Sequence, residues 1–341
     1  MTNQQIVLKS RPVTHASEDN FALRTAPVPP LGDGDVLRRT IYLSLDPYMR
    51  GRMGSARSYT AGVPLDHVMV GGTVSQVVES RNPAFAPGDF VTGYDGWQEY
   101  HASKGHDLRT LDPSIAPIST AVGVLGMPGM TAYVGLFDLG QPKPGETVVV
   151  SAASGAVGAI VGQLAKVTGC RVVGIAGAKE KCDYVVQELG FDACVSHYSD
   201  TLRDDLAAAC PNRIDVYFEN VGGKVFEAVF SLMNVHGRIP VCGIISEYND
   251  PASTSGPTLR ALLTNRIMIR GFIVGDHAAA RQADFLRDCA RWMREGTLKY
   301  REDVVDGLEQ APSALLRLFD GRNFGKLLVR VSADPTQATR G

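Results

Sequence analysis

The chain has 341 residues, long enough for two domains that each bury a core of their own. Hydrophobic residues make up 44% and charged residues 21%, ordinary values for a globular protein, and the formal net charge is only −2. So balanced a charge excludes the electrostatic footprint of a nucleic-acid or anionic-membrane binder. There is no basic run, acidic tail or low-complexity segment.

The N-terminal MTNQQIVLKSRPV has no apolar core of signal-peptide length. Residues 1 to about 120 read as mostly β. DVLRRTIYLSL, VMVGGTVSQVVES and FVTGYDGWQEY are β-branched or aromatic runs, punctuated by Gly and Pro in DPYMRG, NPAFAPGD and YDG. Thr120 to Phe137 then carries no charged side chain, but its four glycines and Pro128 point to a buried helix with a turn at GMPGM rather than to a membrane span.

Near Pro144 the rhythm changes. VVVS, CRVVGIA, DACVSH, IDVYFEN, RIPVCG and IMIRGFIV are six short apolar runs, most of them separated by segments of helical period such as AVGAIVGQLAKV and AKEKCDYVVQEL. Strands alternating with helices predict crossover units and a doubly wound, six-stranded parallel sheet. The tail mixes helix and strand again: ARQADFLRDCARWMREG, YREDVV, APSALLRLFDG and NFGKLLVRV. The expected organisation is an α/β protein with a discontinuous outer domain, residues 1–121 and 299–341, interrupted by the doubly wound domain at 122–298.

The six cysteines, Cys170, Cys182, Cys194, Cys210, Cys242 and Cys289, contain no CxxC pair, which excludes a zinc ribbon or a disulfide framework. Most read as buried small hydrophobes in a reducing cytoplasm. The outer domain has no cysteine, and its His15, His67, His101 and His106 show no ligand-spaced pair, so no metal site is expected. No G-x-S-x-G elbow is present, and the chemistry must come from a cofactor.

The turn SAASGAVG after VVVS is where that cofactor is expected. A strand ending in a tight turn aims the next helix N-terminus at whatever lies over it, a natural phosphate site. Gly155 would admit a pyrophosphate, and Gly158 would let the helix pack on the strand, although Ala153 stands where the usual fingerprint begins with glycine. The next strand, RVVGIA, ends without the acid that would bond the ribose hydroxyls of NAD. Gly177, Ala178, Lys179 and Lys181 follow instead, leaving room and positive charge for a 2′-phosphate. This favours NADPH/NADP over NAD, unless both lysines are simply solvated.

SLDPYMRGRM, VMVGGTV, GYDGWQEY, GVLGMPGMTAY, ENVGGKVF, YREDVVDGLEQAP and GRNFGK resemble segments of the medium-chain dehydrogenase/reductase superfamily. The resemblance spans nearly the whole chain and is to its zinc-independent prostaglandin reductase and double-bond reductase family. Zinc-dependent members carry a G-H-E-x-x-G-x-V segment; here Val68 and Met69 stand at its ligand positions and His67 is one residue out of register.

The resemblance implies a GroES-like outer domain and a Rossmann domain. It also implies NADPH-dependent reduction of the C=C bond of α,β-unsaturated ketones and aldehydes, with hydride transfer to the β-carbon and protonation at the α-carbon. Gly155, Ala156, Val157 and Gly158 would hold the pyrophosphate, with Lys181 and Tyr198 at the 2′-phosphate. Asn220, Cys242, Gly243, Ile244, Ile245, Ser246, Tyr248, Phe272, Ile273, Val274 and Asn323 would line the ribose and nicotinamide. Tyr248 is the first catalytic candidate. Tyr48 is the second, as a pocket wall or donor, with packing against Pro47 and Met49 as the alternative. A homodimer joined through Rossmann-sheet edge strands, with IMIRGFIV at the edge, is implied as well. The loop NDPASTSGP, Asn249 to Pro257, suits a mobile lid or a passive connection. A quinone reductase of the same superfamily and a non-catalytic NADPH-binding protein are the competing functions.

Overall fold

The computed structural model describes residues 2–56, 58–249, 256 and 259–337. Most of the loop from Asn249 to Pro257 therefore lies outside the described residues.

The chain begins with β1 (Thr2–Leu8) paired antiparallel with β2 (Phe21–Pro27), in register from Thr2↔Pro27 to Leu8↔Phe21. Then come β3 (Val36–Ser44), the single-turn helix α1 (Met49–Arg52), β4 (Thr73–Ser80), β5 (Phe90–Gly93), β6 (Tyr100–Ser103) and β7 (Arg109–Leu111). Trp97 is fully buried and stacks on Phe21 with ring centroids 5.2 Å apart. Arg38 and Asp95 are both buried, and their ion pair is satisfied further by the Ser75 and Ser103 hydroxyls.

The charge-free segment around Pro128 forms α2 (Met127–Val134), whose residues Pro128 to Val134 are buried. Its break falls ahead of the helix, at Gly123–Gly126, and takes in only the first glycine of GMPGM, whose other four residues are helical. Proline fits the first helical turn, where its missing N–H costs nothing. A Cβ on Gly129 would meet the Val124 carbonyl oxygen at 1.9 Å, so that glycine seats the helix on the preceding turn.

Strands and helices then alternate: β8 (Thr147–Ser151), α3 (Gly158–Val167), β9 (Arg171–Ala176), α4 (Lys179–Gln187), β10 (Ala193–Ser196), α5 (Leu202–Ala209), β11 (Ile214–Phe218), α6 (Gly223–Phe230), β12 (Met233–Val241), α7 (Leu259–Asn265), β13 (Met268–Gly271) and α8 (Gly275–Arg294). The six strands form one parallel sheet in the order β10-β9-β8-β11-β12-β13. All five residues of β8 are buried, as expected of a central strand covered by helices on both faces. The chain winds outward from β8 in both directions, which puts the topological switch point at the carboxyl ends of β8 and β11.

The chain closes with β14 (Glu302–Asp306), α9 (Ala311–Phe319) and β15 (Lys326–Arg330). These strands complete a seven-stranded sheet, β14-β15-β3-β4-β5-β7 with β6 also paired to β3. Two compact units result: residues 1–123, 302–323 and 327–341 form one, and residues 124–301 and 324–326 the other. Among the described residues, no helix is long and apolar enough to cross a membrane.

Candidate active site

The switch point begins at Ser151. After it Ala152 takes a left-handed φ of 51°, turning the chain sharply before Gly155. Ala153, at the position where glycine is usual, is buried and keeps ordinary backbone geometry. Its methyl is accommodated by Gly174 on β9, where a Cβ would come within 2.8 Å of it. Gly155 accepts from the Ala159 amide at 3.1 Å, so helical bonding starts at the turn. A Cβ on Gly158 would lie 2.3 Å from the Ala152 carbonyl oxygen; only glycine lets α3 begin there. Ala156 and Val157 are half-buried just ahead of α3, with Val157 as its N-cap residue.

The carboxyl ends of β9 and β10 form a second cluster. The Ser196 hydroxyl donates to the Gly177 carbonyl at 2.8 Å, and the His197 amide donates to Ala176 at 2.9 Å. A Cβ on Gly177 would sit 3.2 Å from both His197 Nε2 and Tyr198 Cε2, and 3.5 Å from the Tyr198 hydroxyl. The two rings pack at 4.2 Å, and Tyr198 is 62% exposed. Lys181 is half-buried on the first turn of α4, whereas Lys179 is exposed and spent on Asp183 at 2.6 Å. Burial lowers the basicity of His197, and the charges of Lys224 and Lys181 lower it further. Lys224, on α6, is a member of this positive cluster that sequence reading missed. Its signal was present, since it closes the ENVGGK run.

The third cluster is built on Glu219, immediately after β11 and fully buried. Its Oε1 accepts from the Val221 amide, from the Gly222 amide at 3.0 Å and from the Ser151 hydroxyl at 3.0 Å, while Oε2 has no partner. Burial raises its pKa, against the opposing pull first of the nearby Tyr217 hydroxyl and then of these donors. Asn220 clamps the same strand ends: its side-chain amide donates to the Ser151 carbonyl, and its backbone amide to the Ser151 hydroxyl, both at 2.8 Å. Sequence reading missed Glu219, whose only signal was a charge directly following the apolar IDVYF.

The segment after β12 is stitched onto this cluster. Cys242 and Gly243 donate to the Glu219 carbonyl at 2.9 and 3.3 Å, Ile245 to Asn220 at 3.2 Å, and Ser246 to Val221 at 3.0 Å. Burial pushes the Cys242 thiol up to about 12, so it stays protonated. Tyr248 follows a single tight turn, Ile245–Glu247, and its phenol doubles back: a Cβ on Gly243 would lie 3.1 Å from the Tyr248 hydroxyl. Phe272, Ile273 and Val274 leave the carboxyl end of β13. The Phe272 amide donates to Val241 at 3.4 Å, and its ring packs edge-on against Phe218 at 6.3 Å.

Gly155 to Gly158, Lys181, Tyr198, Asn220, Cys242 to Ser246, Tyr248 and Phe272 to Val274 thus share the carboxyl edge of one sheet. Asn323 and Tyr48 belong to the other unit. Tyr48 starts α1, and its buried hydroxyl makes no hydrogen bond of ordinary geometry. Burial, followed by the charge of Asp46, holds that phenol far above its usual range, so it is a neutral hydroxyl throughout physiological pH. Val68 is half-buried and Met69 lies in the core, and no group of three or more His, Cys, Asp or Glu that could hold a metal ion occurs among the described residues.

Two family models match the chain: one described as the N-terminal domain of oxidoreductase, over residues 4–111, and one described as zinc-binding dehydrogenase, over residues 156–289. The NADPH-dependent curcumin reductase of Escherichia coli strain K12 is 50% identical over 337 residues, covering 97% of this chain and 98% of that one. The 2-alkenal reductase (NADP(+)-dependent) of Nicotiana tabacum is 42% identical over 347 residues, covering 98% and 99%. Among solved structures, CurA from Vibrio vulnificus in complex with NADPH matches with a TM-score of 0.94 at 49% identity, covering 97% of this chain and all of that one, 100%. The chain belongs to the medium-chain dehydrogenase/reductase superfamily, in its prostaglandin reductase and double-bond reductase family.

Proposed function

We propose that this protein uses NADPH to reduce the C=C bond of α,β-unsaturated ketones and aldehydes. The observation that carries the reading is the carboxyl edge of the parallel sheet, where a positive cluster without an acid after β10 and β9, a glycine turn after β8 and a tyrosine hydroxyl after β12 follow one another across the sheet. The residues fit NADPH. Gly158 keeps the turn at Ala152 tight, and because the Gly155 amide is donated to the Ala152 carbonyl at 2.9 Å, the amides of Ala156 to Gly158 are the donors assigned to a pyrophosphate, with Gly155 leaving it room. Lys181 and Lys224, with Tyr198, supply charge and a donor for a 2′-phosphate. Asn220, Cys242 to Ser246, Phe272 to Val274 and Asn323 would hold the ribose and nicotinamide. The names and the NADPH complex of the relatives support the same assignment.

When bound, NADPH supplies a hydride to the substrate. The chain's own task is to orient the enone and to stabilise the negative charge that develops on its carbonyl oxygen. Tyr248 Oη, held at the turn over Gly243, is the donor assigned to that oxygen and to the proton step. Tyr48, neutral and desolvated, is a second donor or a wall for the apolar substrate. No step requires a metal.

Residues 122–298 form the NADP-binding domain in this reading, and residues 1–121 and 299–341 the catalytic domain. The working compartment is the cytoplasm, where NADPH is supplied. A homodimer through β13 is supported by its position at the end of the sheet, by the exposed Met268 (48%) on it and by the exposed Leu259 (82%) and Leu263 (77%) of α7 just before it. The functional test is NADPH consumption with a 2-alkenal, a curcuminoid and a quinone. Turnover of the first two is expected; turnover of the quinone alone would overturn the assignment.

A further inference from the structure

Two cysteines with no sequence motif between them meet in the structure. Cys182 lies on α4, one residue after Lys181, and Cys194 lies on β10, paired with Gly174 of β9. Their sulfurs are 2.8 Å apart and both side chains are only partly buried. Cys170, Cys210 and Cys289 are buried, so they are internal controls for anything that reaches this pair from solvent. β10 is also at the opposite edge of the sheet from β13, which leaves the pair accessible in the proposed dimer.

We propose that Cys182 and Cys194 are a reversible dithiol–disulfide couple that sets the affinity of the protein for the 2′-phosphate end of NADPH; the second half rests on the cofactor assignment above. Cys182 is the nucleophile. The hydrogen bond from Cys194 favours its thiolate, against the opposing effect of burial, while Cys194 keeps its proton. With hydrogen peroxide as oxidant, the Cys182 sulfur attacks a peroxide oxygen, the O–O bond breaks, and water leaves behind a sulfenic acid. The Cys194 sulfur then attacks Cys182, the S–O bond breaks, and a second water departs. Two thiols lose two electrons and two protons, and one peroxide becomes two waters.

The geometry couples this bond to the cofactor end. Closing the sulfurs to a disulfide, about 2.05 Å, shifts α4 against β10 by under ~1 Å. The first turn of α4 carries Lys181, and the end of β10 leads into Ser196, His197 and Tyr198, which pack on Gly177. Drawing the helix and strand together changes the spacing of the groups assigned to the phosphate and leaves the Gly155–Gly158 turn alone.

The test oxidises reduced, full-length protein with hydrogen peroxide, maps disulfides on non-reduced peptides, and measures NADPH and NADH binding by nicotinamide fluorescence. A Cys182–Cys194 disulfide is expected, with the NADPH dissociation constant raised about five- to tenfold, a modest coupling by the usual scale, NADH nearly unchanged, and full reversal by dithiothreitol. Cys182→Ser and Cys194→Ser, with Cys182→Ala as a second substitution, should bind NADPH like reduced wild type and ignore peroxide. Absence of this disulfide, or its formation with no change in NADPH affinity, overturns the proposal. Lys181→Ala in reduced protein separates the two readings. If it weakens NADPH and NADH equally, the 2′-phosphate assignment has failed, and the coupling falls with it. If its effect is specific to NADPH and no disulfide forms, the redox proposal alone has failed.

Discussion

Glu219 is the residue whose replacement tests the architecture of the switch point most directly. One carboxylate oxygen takes three donors, the Val221 and Gly222 amides and the Ser151 hydroxyl, and the other takes none. In Glu219→Ala the hydroxyl can fall back on the Phe218 carbonyl, 3.4 Å away, but two buried amides lose their acceptor. At roughly 1–3 kcal/mol for each orphaned buried group, the loss should be about 3 kcal/mol, the low half of the range because water can enter the vacated space. Glu219→Gln keeps the oxygen that all three donors use, and should stay within about 1 kcal/mol of wild type. The pH dependence distinguishes the two further. Burial raises the folded-state pKa of Glu219 above its ordinary 4.5, so its contribution to stability is full below 4.5 and fades as pH rises through the raised value. Glu219→Gln should therefore gain on wild type with increasing pH over that window. Urea unfolding followed by fluorescence is the assay, because Trp292 reports the unit that holds Glu219 and Trp97 the other. Equal losses in the Ala and Gln variants would refute the acceptor argument. So would a Gln variant that falls behind wild type as pH rises.

Four further outcomes are expected. Lys181→Ala should weaken NADPH about 10- to 100-fold and leave NADH nearly untouched, as measured by equilibrium binding; Lys224→Ala should show the same selectivity at smaller size. Tyr248→Phe should lower single-turnover hydride transfer about 10²–10³-fold while NADPH affinity falls no more than about tenfold, and wild-type transfer would shift the donor role to Tyr48. Turnover should survive prolonged chelation with less than one zinc per chain by elemental analysis, and stoichiometric zinc with chelator-sensitive activity would contradict it. Leu263→Asp should shift the oligomer toward monomer in sedimentation if α7 and β13 are at a subunit contact, and an unchanged sedimentation coefficient would argue against it.

Particular segments show how legible the chain was. Val148 to Val150 are buried from both sides, so their pattern is continuously apolar, and a continuously apolar run between helical segments has one common explanation, a parallel strand. SAASGAVG followed such a strand, and the helix after it needed glycine at 158 for a reason of a few ångströms: the Ala152 carbonyl leaves no room for a methyl. Ala153 was harder to read. Its tolerance depends on Gly174, a residue of the neighbouring strand that nothing near Ala153 in the sequence points to.

The alternation of period and the order of glycine, strand and charge were thus determined by sequence alone, because each arises from neighbours along the chain. The partner groups were decided only by tertiary structure. Lys179 and Lys181 look alike in sequence, yet Lys179 is exposed and pairs with Asp183, whereas Lys181 is half-buried and its charge, like that of Lys224, acts on His197. Glu219 reads as one more acid until the ends of two strands, β8 and β11, bring three donors to one of its carboxylate oxygens. Cys182 and Cys194 have no motif spacing, and become a pair because a helix packed on its own sheet sets their sulfurs 2.8 Å apart. Local pattern dictates which elements form. The contacts that give a titratable group its chemistry come from segments distant in sequence, and only packing the elements together brings them within hydrogen-bond reach.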